Sequence, residues 1–138
     1  MSRHVETIRI NAPVRTVFGA MTDLERWREW WPQIESVALP GGWVCGSELA
    51  CRVMGFNLEG AVVAYGQDRE MGFETSLPLG GRVTQHFSFA PDGDDTVLTA
   101  TVDAKGMLGT MFTRRRLLRE LARLRDNVEA DAGAARGS

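Results

Sequence analysis

The sequence predicts an α+β domain in which one long C-terminal helix packs across a curved antiparallel sheet. Two observations predict this fold class. The first is the only long helical pattern in the chain, between Met107 and Ala130, whose apolar face is formed by Leu117, Leu121, Leu124 and Val128. The second is that almost everything before this helix reads as short strands separated by turns. The space between helix and sheet is therefore where a site is expected.

Composition and charge indicate an ordinary globular protein. The chain has 138 residues, 43% hydrophobic and 25% charged, and its net charge is −2. This charge provides no general attraction to nucleic acid, and we expect no nucleic-acid partner. One domain is predicted over residues 1–130. Residues 131–138 contain nothing to bury and are expected to form a flexible tail.

Targeting and metal-binding patterns are missing from the sequence. No apolar run is long enough for a signal peptide or a membrane span, so a cytoplasmic protein is expected, with Cys45 and Cys51 as free thiols. The two histidines, His4 and His86, form no HxH or HxxxH pair. No phosphate-binding glycine loop or nucleophile elbow is found either. We therefore expect neither a metal nor another cofactor.

The N-terminal third predicts one strand and two short helices. Residues 4–11 alternate in polarity and suit a first strand. Pro13 fits the first turn of a helix over residues 14–21. A second short helix is predicted over residues 24–31 and ends before Pro32, because the residue preceding a proline is disfavoured in helical geometry.

Six further strands bring the expected number to seven. They are predicted at residues 34–39, 47–54, 58–66, 72–77, 82–90 and 96–103. Within the fourth of the seven, 58–66, both faces are largely apolar, which indicates a strand that is covered on both sides or lines a cavity. Strict alternation predicts that Glu59 and Tyr65 share a face, and that His86 faces away from Gln85.

Three parts of the chain resemble a known superfamily. They are INAPVRTVFGAMTDLERWREWWPQIESV, PDGDDTVLTATV and the terminal amphipathic helix. Together they resemble the START and birch-pollen-allergen type of helix-grip domain, or SRPBCC superfamily, and are most similar to bacterial polyketide cyclase/dehydrase-like and lipid-transport-like members. The resemblance implies a seven-stranded antiparallel sheet that grips the last helix around an apolar cavity. It does not imply one reaction, since the superfamily includes carriers, cyclases, receptors and regulators.

Candidate pocket residues are aromatic, thioether and apolar side chains expected on the inner faces or near the start of the long helix. They are Trp30, Trp31, Leu49, Cys51, Val53, Tyr65, Phe73, Gln85, Phe87, Met107, Met111 and Leu118.

Three functions stay open at this stage. The first is binding of a hydrophobic small molecule such as a lipid, an isoprenoid or a polyketide-like compound, by a monomer or homodimer. The second is a cyclase or dehydratase that uses the same cavity, with Tyr65, Gln85, Arg52 and Glu59 as nominees for proton transfer and no catalytic residue assigned. The third is a regulatory or interaction module without a ligand, which uses the arginine-rich helix or a sheet edge.

Overall fold

Seven antiparallel strands form one sheet in the computed structural model, which describes residues 2–136, with side chains up to residue 133. The order across the sheet is β1-β7-β6-β5-β4-β3-β2, so the first two strands of the chain form its two edges. The strands are β1 (Ser2–Ile10), β2 (Ile34–Ala38), β3 (Glu48–Val53), β4 (Phe56–Gly66), β5 (Glu70–Ser76), β6 (Arg82–Asp92) and β7 (Asp95–Lys105). The predicted helix-grip sheet is confirmed.

Two short helices connect β1 to β2 across the open side of the sheet. Helix α1 (Val14–Thr22) follows Pro13, as predicted. The second predicted helix is divided into a 3₁₀ turn, Leu24–Arg26, and a four-residue helix α2, Trp27–Trp30. The Asp23 side chain accepts a hydrogen bond from the Glu25 backbone N–H at 3.1 Å and so caps the 3₁₀ turn.

The long helix α3 spans Arg114–Arg136, so the predicted start at Met107 is wrong. Residues 107–111 form a separate 3₁₀ turn after Gly106, whose φ of 87° lies in the left-handed region that glycine favours. The Thr113 hydroxyl then accepts a hydrogen bond from the Arg116 backbone N–H at 3.2 Å, as in an N-cap. The apolar periodicity around Met107 therefore belongs to a turn that leads into the helix.

The C-terminal end of α3 extends beyond the predicted end at Ala130. Residues 131–136, which the sequence analysis places in a flexible tail, are helical. Asp131 pairs with Arg26, and Ala132 packs against the core. The last two residues of the predicted tail, 137 and 138, lie outside the described part of the chain.

A bulge in β4 reverses one facing that the sequence predicts. The pairing between β4 and β5 shifts register between Val62 and Ala64. Because a bulge adds one residue to one strand, side chains beyond it change face. Tyr65 consequently packs against the core while Glu59 is exposed, so the prediction that they share a face is wrong. His86 contacts Glu70 at 3.2 Å on the outer surface of the sheet.

The core lies between α3 and the inner face of the sheet. Helix α3 contributes its predicted apolar face, and β7 contributes every second residue. These buried side chains are Leu117, Leu121, Leu124 and Val128 of α3, and Leu98, Ala100, Val102 and Ala104 of β7. Within residues 2–136, no helix is long and apolar enough to cross a membrane.

Candidate functional site

A cavity of about 230 Å³ lies where the sheet, α2 and the start of α3 meet. Its walls are the start of α2, the segment between α2 and β2, and the inner faces of β3 to β6. The 3₁₀ turn at residues 107–111 and the first turns of α3 complete them. Most of the lining is apolar. The strand residues that line the cavity are Ile34, Leu49, Cys51, Val53, Phe56, Leu58, Phe73, Thr75, Val83 and Gln85.

Aromatic rings form one wall of the cavity. The rings of Trp27 and Trp31 meet edge to face with their centroids 4.8 Å apart, and the Trp27 ring lies 5.1 Å from that of Phe73. The Trp27 indole N–H donates to the Met21 carbonyl at 2.8 Å, which fixes α2 to the end of α1. This side of the cavity is therefore rigid.

A charged cluster on α3 forms another part of the cavity lining. Arg116 and Glu120 are one turn apart, and the Arg116 Nε donates to Glu120 Oε1 at 3.1 Å. The Trp31 indole N–H donates to the other carboxylate oxygen, also at 3.1 Å. The Arg116 guanidinium lies over the Phe112 ring, 5.1 Å from its centroid. The Glu120 side chain is only 15% exposed and that of Arg116 22%, so both lie well inside the molecular surface.

Burial raises the pKa of Glu120 above its usual value, although Arg116, the Trp31 hydrogen bond and Arg123 act in the opposite direction. Among the described residues, the other titratable side chains that line the cavity are Arg116 and Cys51. Burial also raises the pKa of the Cys51 thiol, which keeps it protonated. Glu120 is thus the group in the cavity that is best placed to exchange a proton.

Glu120 is expected to make the stability of the protein depend on pH. Because its pKa is raised in the folded state, that state holds more protons than the unfolded one between the ordinary glutamate value of about 4.3 and the raised value. The stability contributed by this group therefore falls as the pH rises through that window. Lowering the pH from about 7 to about 4.3, the ordinary glutamate value, should stabilise the wild type relative to Glu120→Gln.

Urea unfolding of the two proteins at both pH values measures this difference. Glu59→Gln is the matched control, since Glu59 is exposed on the outer face of the sheet. The raised pKa would be contradicted if the free energies of unfolding of the wild type and Glu120→Gln differed by the same amount at both pH values.

Seven of the twelve candidate pocket residues line this cavity, and five lie elsewhere. The seven are Trp31, Leu49, Cys51, Val53, Phe73, Gln85 and Met111. Trp30 is buried in the core, with the Arg26 guanidinium 5.7 Å from its ring centroid. Phe87 is also a core residue, and Tyr65 lies beyond the β4 bulge, where its ring stacks on that of Trp43.

The other two candidates outside the cavity lie in α3 and in the 3₁₀ turn before it. Met107 is 71% exposed because it belongs to the 3₁₀ turn before the helix. Leu118 is 37% exposed, since it lies one residue beyond the buried Leu117 and therefore turns about 100° away from the sheet. Neither lines the cavity.

The residues nominated for proton transfer are not brought together. Arg52 lies on the outer face of β3 and pairs with Glu35 at 2.7 Å, and Glu59 is exposed on the outer face of β4. Of the four nominees, only Gln85 lines the cavity. The Arg116–Glu120 pair has the i, i+4 spacing of an ordinary exposed ion pair, so sequence spacing alone does not assign it to a cavity. Its proximity to Trp31, which is 89 residues away from Glu120 in the chain, has no counterpart in sequence spacing.

Comparisons with known proteins support the fold. A family model described as polyketide cyclase / dehydrase and lipid transport matches residues 1–132. A protein from Mesorhizobium loti aligns with a TM-score of 0.72 at 16% identity, covering 91% of this chain and 95% of its own. A hypothetical protein from Helicobacter pylori aligns with a TM-score of 0.77 at 10% identity, covering 92% of this chain and 88% of its own.

The fold is also similar to that of a named synthase. Truncated norcoclaurine synthase from Thalictrum flavum aligns with a TM-score of 0.70 at 11% identity, and the alignment covers 92% of each chain. Identities this low establish the fold alone. No curated protein sequence matches the chain.

Proposed function

Because the chain belongs to the polyketide cyclase/dehydrase and lipid-transport family, we propose that it binds a hydrophobic small molecule between the sheet and α3. The class we expect is a lipid, an isoprenoid or a polyketide-like compound. The observation that carries the proposal is the cavity of about 230 Å³ with its mostly apolar lining. Sites for small molecules are typically concave and apolar, with a few polar groups that orient the ligand.

The entrance of the cavity supports this proposal. Met54, Phe56 and Met111 line it and are also exposed to solvent. Exposed large apolar side chains that border a cavity are typical of a surface across which an apolar ligand enters. Methionine side chains are also flexible enough to adapt to different ligand shapes.

Native mass spectrometry of the freshly purified protein tests the proposal, followed by solvent extraction and identification of the compounds released. We expect an apolar adduct on the wild type. Cys51→Trp, which places an indole in the cavity, should lose the adduct. Ala50→Trp should keep the adduct, because this substitution adds the same indole to the exposed face of the same strand.

Two results would argue against binding in this cavity. The first is a wild type without any adduct that also fails to bind an added hydrophobic fluorescent probe, which would favour a ligand-free interaction module. The second is an adduct that persists equally in Cys51→Trp while thermal unfolding shows that this variant is folded, which would place the ligand outside the cavity.

A cyclase or dehydratase activity in the same cavity is the second candidate. It is favoured by the charged cluster, because Glu120 is suited to proton transfer and Arg116 to binding an enolate oxygen as negative charge develops there. Turnover of a poly-ketone substrate that is lost in Glu120→Gln but kept in Glu59→Gln would support the enzyme over the carrier.

A further inference from the structure

Three polar groups in the apolar cavity have hydrogen-bonding capacity that no described residue uses. The terminal nitrogens of the Arg116 guanidinium make no hydrogen bond to residues 2–133, since only its Nε is engaged by Glu120. The Gln33 Oε1 atom, which belongs to another lining residue, is buried without a donor. Glu120 accepts one hydrogen bond on each oxygen, and each oxygen can accept another.

We propose that the cavity selects hydrophobic molecules that carry an uncharged hydroxyl group, such as a phenol or an enol, and that Arg116, Glu120 and Gln33 bind that hydroxyl. This inference rests on the proposed function and adds the chemical class of the ligand. A hydroxyl oxygen accepts from the Arg116 guanidinium, while its proton is donated to Gln33 Oε1 or to a Glu120 oxygen. One group therefore satisfies both a donor and an acceptor of the cavity.

A carboxylate head group fits this cluster less well. Arg116 and Glu120 already neutralise each other, and Arg123, which also acts on Glu120, is exposed to solvent. An added carboxylate would therefore bring a negative charge into apolar surroundings without a buried cation of its own. It would also bring no proton for Gln33 Oε1. The charge balance of the cluster therefore favours a neutral ligand.

A pure hydrocarbon also fits less well than a hydroxylated compound. It would fill the apolar part of the cavity but would displace water from the terminal nitrogens of Arg116 and leave Gln33 Oε1 without a donor. A buried polar group that loses its partners lowers affinity. We expect the hydroxylated member of a pair of similar size and shape to bind at least about tenfold tighter.

Isothermal titration with three small aromatic probes tests the inference at neutral pH. The probes are 2-naphthol, 2-methylnaphthalene, which replaces the hydroxyl with a methyl group, and 2-naphthoate, which carries a carboxylate. On the wild type we expect 2-naphthol to bind at least about tenfold tighter than either of the others.

A double variant tests whether the preference for 2-naphthol depends on Arg116 and Glu120. Arg116→Met with Glu120→Met removes the charged pair together, so that neither charge is left alone, and keeps long side chains there. Its preference for 2-naphthol over 2-methylnaphthalene should fall well below that of the wild type, because only Gln33 Oε1 is left to bind the hydroxyl. Arg119→Met is the matched control, since Arg119 is exposed on the same helix, and it should keep the wild-type preference.

The outcomes separate the two proposals. Equal binding of all three probes by the wild type, or tightest binding of 2-naphthoate, overturns the hydroxyl preference and leaves hydrophobic binding intact. A preference for 2-naphthol that is as large in the folded double variant as in the wild type overturns the assignment to Arg116 and Glu120. Failure of all three probes to bind contradicts the proposed function and the inference together.

Discussion

Trp27→Ala is expected to lower the free energy of unfolding by about 3–5 kcal/mol, which is a large part of the stability of a domain this size. Trp27 is 1% exposed and contacts the rings of Trp31, Trp43 and Phe73. Removing the indole leaves a void among these rings, and it leaves the Met21 carbonyl without its donor. Urea unfolding followed by tryptophan fluorescence and circular dichroism measures the change.

Two further variants test this explanation. Trp27→Phe keeps a ring but loses the hydrogen bond, so its destabilisation should fall between the wild type and Trp27→Ala. Leu79→Ala removes an apolar side chain that is largely exposed, and should change stability by less than about 0.5 kcal/mol. A loss below about 1 kcal/mol in Trp27→Ala would contradict the central role of Trp27 in packing.

Gly60→Ala is expected to destabilise the protein by about 2–3 kcal/mol, although only one methyl group is added. Gly60 lies in β4 opposite Thr75 of β5. A Cβ at this position would lie 2.1 Å from the carbonyl oxygen of Glu74, which is backbone and cannot move without distorting the pairing of β4 with β5. The free energy of unfolding in urea is the measurement.

Gly66→Ala is the matched control in the same strand. A Cβ on Gly66 would have its nearest contact at 3.5 Å, with the Glu70 side chain, which is ordinary van der Waals distance. This variant should be neutral or slightly stabilising, because alanine restricts the unfolded chain more than glycine does. Equal stabilities of Gly60→Ala and Gly66→Ala would show that β4 and β5 can separate at no cost.

The fold was predictable because its main elements are encoded locally. Alternation along strands such as 82–90 and the apolar face of α3 both follow directly from residue spacing. The start of α3 was not predictable in this way. The apolar residues around Met107 continue the helical pattern. In the structure, however, the left-handed φ of Gly106 begins a separate 3₁₀ turn, and the Thr113 cap begins the helix.

The site was predictable only in part, for a physical reason. Leu49, Cys51 and Val53 share a face of one strand, so their common position on the cavity follows from alternation. Glu120 and Arg116 have the spacing of an ordinary exposed ion pair, and only the packing of α2 against α3 buries them. Sequence periodicity specifies which side of an element faces inward, but it does not specify which distant element covers it.

The bulge at Val63 has a consequence for how this protein can diverge. Because of it, β4 contributes Leu58 to the cavity before the bulge and Tyr65 to the packed core after it. Substitutions of Leu58 therefore act on the shape of the cavity, whereas those of Tyr65 act on the packing of the core. One position of β4 can accordingly change ligand preference while another keeps the scaffold packed.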